Sequence, residues 1–484
     1  MNPMQTLKTL IFLCFILPIN AQNKLSKTNQ DIINSVEKHQ KELISLSDQI
    51  WALAETAFEE NQSSKLLSDY AEKQGFKVDR GVAGMPTAFI ATYGSGKPVI
   101  SVLGEFDALP GLSQNAVPTK NPLNEGAAGH GCGHNLFGAA SLGSAIAIKE
   151  LIEKGDHKGT IKFFGTPSEE KYFGKIWMVR AGLWDDVDVN ISWHPAAMMK
   201  ADVQSSLALV DFKVEFYGQA AHASADPWNG RSASDALELY CNGINYYREH
   251  VQPTVRMHYH IENAGEVVNV VADYSRLWVR IRDTKRTGML AVYERVMKMA
   301  EGAAIMANVD YKISLISGIY EVLVNREGGK IMQKNLELLG PISYTNEETV
   351  FGIKIQEATG KKQVGMDSEI KPLEETKEHP GGGSTDVGDV SWNVANINLG
   401  VTTAPKDTPW HSWAVVAGGG MSIGHKGLVY ASKAMAMTMA DLFKNPELVA
   451  KVKAEYKERK GTEVYKALIP EGPPPLPKNA IGSN

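Results

Sequence analysis

Apolar positions in residues 30–75 recur at helical spacing, with Ile33, Val36, Leu43, Leu46, Ile50 and Leu53 on a common stripe, and predict an amphipathic helical opening to the folded chain. Strands and helices then alternate. Val99-Ile100-Ser101-Val102-Leu103-Gly104 reads as a buried strand, Leu136 to Glu153 as an Ala-rich helix, and Thr160-Ile161-Lys162-Phe163-Phe164 and Val189-Asn190-Ile191-Ser192-Trp193 as further strands. That order predicts an α/β fold with a mostly parallel sheet flanked by helices. From about residue 207 the pattern changes. Leu207 to Tyr217 alternates apolar and polar like a half-exposed antiparallel strand. A helix (233–249), two strands (254–262 and 275–282), a helix (287–307) and a strand (310–322) follow, a βαββαβ order that predicts an inserted α+β domain. After about 325 the α/β pattern returns and closes with a helix near 426–444.

The resulting division is a leader over 1–21, a first catalytic part over 28–206, an inserted dimerisation or lid domain over 207–324, a second catalytic part over 325–460, and a Pro-rich tail over 461–484. The tail contains Pro473-Pro474-Pro475-Leu476-Pro477 and is expected to be an extended or mobile terminus. In the leader, Lys8 precedes the apolar run Leu10 to Leu17, and Ala21 offers a small residue at which to cut. The run is shorter than a bilayer span, so it reads as a signal peptide and predicts an exported, periplasmic or secreted product with no membrane attachment after cleavage. An uncleaved membrane anchor is the competing reading.

Composition narrows the function classes. Lys plus Arg number 50 against 55 Asp plus Glu, a formal net charge of −5 with no long basic run, which argues against nucleic-acid binding. Of three cysteines, Cys14 lies in the leader, so the mature chain is no disulfide scaffold despite the oxidising compartment. Cys241 sits in a helical stretch and reads as a small buried hydrophobe. Cys132 sits among glycines and histidines and needs another explanation.

The densest chemical cluster is Gly129-His130-Gly131-Cys132-Gly133-His134-Asn135, directly before the Ala-rich helix. Glycines let the backbone bend so that Cys132 and His134 converge on one divalent ion, although the segment also reads as a structural turn with an incidental histidine. Gly165-Thr166-Pro167-Ser168-Glu169-Glu170 ends a strand, where ligand sites of open α/β sheets gather. Adjacent carboxylates there can divide metal binding from proton transfer, or can be a polar loop ahead of a helix. His194 ends another strand, and His411 follows the strand Ile397-Asn398-Leu399-Gly400. Cys132, His134, Glu170, His194 and His411 together suffice for two metal ions, with Glu169 left free. Asp107 ends yet another strand; it orients a ligand histidine through its second nitrogen or is a loop-entry aspartate.

These segments resemble the M20 metallopeptidase family in its amidohydrolase branch. The likeness is carried by Gly104 to Pro110, Gly131 to Asn135, Thr166 to Glu170, Gly218-Gln219-Ala220-Ala221-His222-Ala223, His194 and His411, over roughly residues 30–450. Within that family, Gly129 to Asn135 and Gly81 to Phe89 are most similar to the p-aminobenzoyl-glutamate hydrolase group. The resemblance implies two divalent ions per subunit, Zn or Mn, with a thiolate in place of a bridging carboxylate, Glu169 as general base and Glu170 as ligand. It also implies that His222 stabilises an oxyanion, often across a dimer interface, and that Asn269 and Arg282 lie on the substrate side. Arg282 read alone is equally a surface salt-bridge residue. One departure stands out: many M20 peptidases carry His-x-Asp where this chain has Glu105-Phe106-Asp107, so that ligand position does not carry over, and His134 is expected to cover the loss.

The implied activity is hydrolysis of the amide bond of an N-acyl or N-aroyl amino acid such as p-aminobenzoyl-glutamate. Other N-acyl amino acids or dipeptides are the rivals within the class, and a metal-dependent ligand-binding protein is the rival outside it. The implied partner is a second copy or a related M20 subunit.

Overall fold

A computed structural model describes residues 25–380 and 382–477. The signal-peptide expectation and the end of the tail, residues 478–484, fall outside the described residues.

The chain opens with α1 (Lys27–Leu53) and α2 (Asn61–Lys73), then β1 (Lys77–Arg80), β2 (Phe89–Ser95) and β3 (Val99–Gly104). Next come α3 (His134–Glu153), β4 (Gly159–Gly165), α4 (Gly174–Arg180), β5 (Val189–Ala196) and β6 (Lys200–Asp202). An inserted unit follows: β7 (Ala208–Tyr217), α5 (Ala233–Tyr247), β8 (Arg256–Asn263), β9 (Tyr274–Asp283), α6 (Arg286–Ala307) and β10 (Asp310–Ile319). The chain then returns through α7 (Arg326–Leu339), α8 (Asn346–Ala358), α9 (Val387–Ser391) and β11 (Ala395–Thr402). It closes with α10 (Trp413–Gly419), α11 (Ser422–Lys444) and α12 (Pro446–Lys460).

The larger sheet has the order β1-β2-β4-β3-β5-β11-β6. Its four central strands, β4, β3, β5 and β11, are parallel, so their C-terminal ends share one edge. Antiparallel pairs complete both sides, β1 and β2 on one and β6 on the other. A buried polar ladder crosses the centre: Ser101 Oγ to Asn190 Oδ1 at 2.6 Å, Asn190 Nδ2 to Asn396 Oδ1 at 2.6 Å, and Ser192 Oγ to Asn398 Oδ1 at 2.6 Å. Asn190 lies opposite Asn396 and Ser192 opposite Asn398, so a one-residue slip would leave these groups unpaired in the core and register is strongly specified. Helices α1, α3 and α11 pack on one another beside this sheet. Sixteen of the twenty residues of α3 are buried, as the Ala-rich sequence demands.

The second sheet, β10-β7-β9-β8, is wholly antiparallel and has its own apolar core with α5 and α6. The architecture expected from the sequence is observed: an α/β body whose central sheet is parallel, carrying a βαββαβ unit.

Local differences have simple causes. The helical stripe over 30–75 divides into α1 and α2, because Ala54 and Phe58 adopt left-handed backbone angles (φ 44° and 60°). Ile32, rather than Ile33, is the buried residue, since the spacing Ile32-Val36-His39-Leu43-Leu46-Ile50 keeps steps of three and four. The tail is extended but held: Leu468 bridges Gly318, Tyr465 donates to Asp389 Oδ1 at 2.7 Å, and Arg180 donates to the Pro470 and Gly472 carbonyls.

Candidate active site

The shared edge of β3, β4, β5 and β11 assembles the site, as strand ends do in open α/β sheets. Glu105 and Asp107 follow β3, Glu169 and Glu170 follow β4, His194 lies near the end of β5, and His411 follows β11 after a loop. Cys132 and His134 arrive from the glycine-rich turn that caps α3. There Gly133 has φ 78°, a left-handed conformation natural only to glycine. Gly131 brings two loops together, because its carbonyl accepts the His411 N–H at 3.0 Å and an added Cβ would lie 2.4 Å from a Leu112 methyl.

Three overlapping sets of donors converge. Cys132, His134 and His194 form one, Cys132, Glu170 and His411 a second, and Glu105, His134 and Glu169 a third; within each, the donor atoms lie within 4.8 Å of one another. Cys132 and His134 each belong to two of them. The Cys132 Sγ is 3.4 Å from His194 Nε2, and His411 Nε2 is 3.6 Å from Glu170 Oε2. All five ligands expected from the sequence are brought together, with Glu169 beside them. His411 is the open side of the pocket, with its side chain 56% exposed.

Asp107 ties the motifs to each other. Its Oδ1 is 2.8 Å from His134 Nδ1, and its Oδ2 accepts the Glu170 N–H at 2.9 Å. With Nδ1 so engaged, His134 presents Nε2 to the pocket. The Glu169–Glu170 loop is held from beneath by Glu60, a buried carboxylate that accepts the Ser168 N–H at 2.9 Å while Ser168 sits at φ 61°.

Electrostatics suit ion binding. Burial pushes the Cys132 thiol well above its ordinary pKa, so a bound cation is what would make it a thiolate. Burial, with His134 nearby, lowers His194 to about 4 and keeps it neutral, the form that ligates. For His134, burial opposes charge, but Glu105, Cys132 and Asp107 outweigh it and hold the pKa well above the usual value. Burial raises Glu170 to about 7, helped by Asp107 and Glu105 against the pull of His134. Burial and the charges of Glu105, Glu170 and Asp386 push Glu169 well above the carboxylate range, partly offset by Lys175. Buried Glu170 Oε1 lacks a hydrogen-bond partner, and His134 Nε2 and Glu105 Oε2 have only each other, as an ion pair at 3.0 Å. Leaving such groups unpaired costs about 1–3 kcal/mol each, so the donor set fits cations that would satisfy them together.

Two charged residues, Lys175 and Asp386, were not anticipated beside the site. Lys175 is wholly buried, with Nζ 2.7 Å from Glu105 Oε1 and 2.6 Å from Asp386 Oδ1, and Asp386 Oδ2 also accepts the Lys175 N–H at 2.9 Å. The available signal was a lone cation ahead of the apolar stretch Ile176-Trp177-Met178-Val179 in α4. Nothing local pointed to Asp386, which is 211 residues from its partner.

The remaining expected residues lie in the inserted unit. His222 occupies an exposed turn and bridges Val270, while the Ala223 N–H donates to the Asn269 carbonyl at 3.0 Å. His222 and Asn269 are therefore neighbours, but among the described residues neither has a hydrogen bond to the metal-donor cluster. His222 Nδ1 accepts the backbone N–H groups of Ser224 and Ala225 at 3.3 Å. A neutral imidazole so engaged carries its proton on Nε2 and points a donor outward. Arg282 is half-buried; its guanidinium lies 3.5 Å from Ser384 Oγ, in the loop that leads to Asp386.

The family model for peptidase family M20/M25/M40 matches residues 102–468, and the chain belongs to that family. It is accordingly a hydrolase of the M20 type. It is 37% identical to the B subunit of p-aminobenzoyl-glutamate hydrolase from Escherichia coli (strain K12), over 92% of this chain and 98% of that protein. It is 26% identical to the human Xaa-Arg dipeptidase over 90% of this chain and 94% of the relative. Among solved structures, a dinuclear metal-binding M20 peptidase from Bacillus subtilis shares the fold with a TM-score of 0.55 at 16% identity, covering 84% of this chain and 99% of that one.

Proposed function

We propose that the protein hydrolyses the amide bond of an N-acyl or N-aroyl amino acid, foremost p-aminobenzoyl-glutamate to p-aminobenzoate and glutamate. The observation that carries this reading is the convergence of Cys132, His134, Glu170, His194 and His411 around a shared sulfur with Glu169 alongside. Those five residues would hold two divalent ions, and the Cys132 thiolate would favour Zn over Mn on softness. Bound there, such ions would supply Lewis acidity and lower the pKa of a water molecule.

The chain's own groups divide the remaining work. Glu169 takes a proton from the attacking water as its oxygen bonds to the amide carbon. Glu169 keeps that proton until the C–N bond breaks, then releases it to the leaving nitrogen. Asp107 positions His134 through Nδ1. His222 supplies an Nε2–H to the developing oxyanion, and Asn269 and Arg282 bind the substrate, the guanidinium taking its carboxylate.

Because His222 makes no hydrogen bond to the donor cluster among the described residues of one chain, we assign it to the site of a partner, either a second copy or a related M20 chain. The Escherichia coli relative is itself one subunit of its hydrolase, which supports a paired assembly. Trp228, Val267, Val268 and Val270, exposed at 74%, 57%, 99% and 42%, lie in the same two loops as His222 and Asn269 and support a covered surface there. We also propose export with cleavage of the N-terminal leader; N-terminal sequencing of the exported protein checks it, and a retained Met1 would refute the cleavage.

The decisive assay is metal content with p-aminobenzoyl-glutamate cleavage, with and without chelator. Two ions per chain and chelator-sensitive cleavage are expected. The absence of metal from active protein would overturn the mechanism. The dipeptidase relative favours a second reading, in which a dipeptide is the substrate; release assays across N-aroyl-glutamates, N-acyl amino acids and dipeptides separate the two.

A further inference from the structure

We propose that Glu105 is a sixth donor of the pocket, a ligand to the ion that His134 holds. The inference rests on the reading of the site as a two-ion centre and adds Glu105 to the five donors read from the sequence.

Glu105 leaves the C-terminal end of β3 and is 1% exposed. Its Oε2 lies 3.0 Å from His134 Nε2, yet neither atom has a hydrogen-bond partner. The two groups face each other as an ion pair rather than an aligned hydrogen bond, an arrangement that two donors to one ion also adopt. Donors each about 2.0–2.1 Å from one ion in a tetrahedral site are separated by roughly 3.3 Å, close to the 3.0 Å between these two atoms. Glu105, His134 and Glu169 also form one of the three convergent donor sets.

The other carboxylate oxygen explains how an extra anion is tolerated. Oε1 is ion-paired to Lys175 Nζ at 2.7 Å, and Lys175 is fixed in turn by Asp386. Lys175 therefore sets the rotation of the Glu105 carboxylate, leaves Oε2 facing His134, and balances charge in a pocket that Glu105 would otherwise make too negative to bury. In this arrangement Lys175 and Asp386 are positioning residues.

The test uses the full chain loaded with Co(II), comparing wild type with Glu105→Gln and with Glu105→Asp, which keeps the charge while withdrawing the donor. Elemental analysis gives ions per chain, competition with a chromogenic chelator gives affinities, and the visible absorption of Co(II) reports the donor set. Affinity for one of the two ions is expected to fall roughly 10- to 100-fold, a loss that an outer contact can also produce. The spectrum therefore decides: a changed position and intensity of the d–d bands in either folded variant supports ligation, and an unchanged spectrum overturns it. Glu105→Asp guards against a Glu105→Gln variant that fails to fold. A wild-type protein that binds no ions would instead overturn the two-ion reading itself, whereas two ions in wild type with spectrally identical variants would remove only Glu105.

Discussion

Replacing Glu169 by glutamine changes one proton acceptor while conserving shape and buried volume. The residue touches the pocket but lies outside the five-donor set around Cys132, so Glu169→Gln is expected to keep its ions and lose turnover by on the order of 10²–10⁴-fold. Elemental analysis beside a cleavage assay checks it, and retained turnover in the metal-loaded variant would remove Glu169 from the mechanism. Glu150 tests a residue remote from chemistry. Burial opposes its charge, but Lys38 at 2.9 Å, His39 at 3.1 Å and Ser35 outweigh that and bring it down to about 2. A depressed folded pKa gives stability that is present above the ordinary carboxylate value and lost as pH falls through about 2. Wild type should thus exceed Glu150→Gln in denaturant midpoint at about pH 7, with the gap closing toward about pH 2. A gap independent of pH would show that the ionised carboxylate contributes nothing. The candidate ion-binding residues were largely legible in sequence, because Cys132, His134, Glu170 and His194 each stand in a compact motif at a strand end or helix start. Lys175 and Asp386 were not, since they meet only through tertiary packing.

At the scale of elements, the turn that carries Cys132 and His134 has no slack. Gly133 holds φ 78°, and a Cβ there would lie 2.9 Å from Pro195 Cβ, next to His194. Gly133→Ala should cost about 1–3 kcal/mol from backbone conformation and displace the His194 strand end as well. Lower metal affinity in a protein of native circular dichroism is the expected result, read by chelator competition and thermal melting. Unchanged affinity and melting temperature would show that the turn tolerates the strain. The same packing decides which elements were readable. Long periodic elements such as α3, β9 and α6 declare themselves through burial on one or all faces. Short edge strands such as β1 and β6, four and three residues long, carry too few positions for a pattern, and their pairing is set by β2 and β11 rather than by their own sequence.

For the whole molecule, the question is how a histidine in the inserted unit serves a pocket at the edge of the larger sheet. His222 carries its outward donor beside a group of exposed apolar side chains, and among the described residues of one chain it makes no hydrogen bond to the metal donors. Both facts follow if a partner's catalytic body covers that surface and receives His222, with the exchange made reciprocal by twofold symmetry in a homodimer. Two defective variants then complement each other. His222→Ala chains retain Glu169 but lack the donor, while Glu169→Gln chains retain the donor but lack the base. Dissociated and reassembled together in equal amounts, half of the dimers should be mixed, each with one intact composite site, giving roughly a quarter of wild-type turnover if pairing is random. Each variant alone should stay inactive, and both should elute as dimers. Recovery on mixing would place His222 in the partner's site. Its absence, with mixed dimers verified by differently tagged chains, would place His222 in its own chain's site and require the inserted unit to close over that pocket.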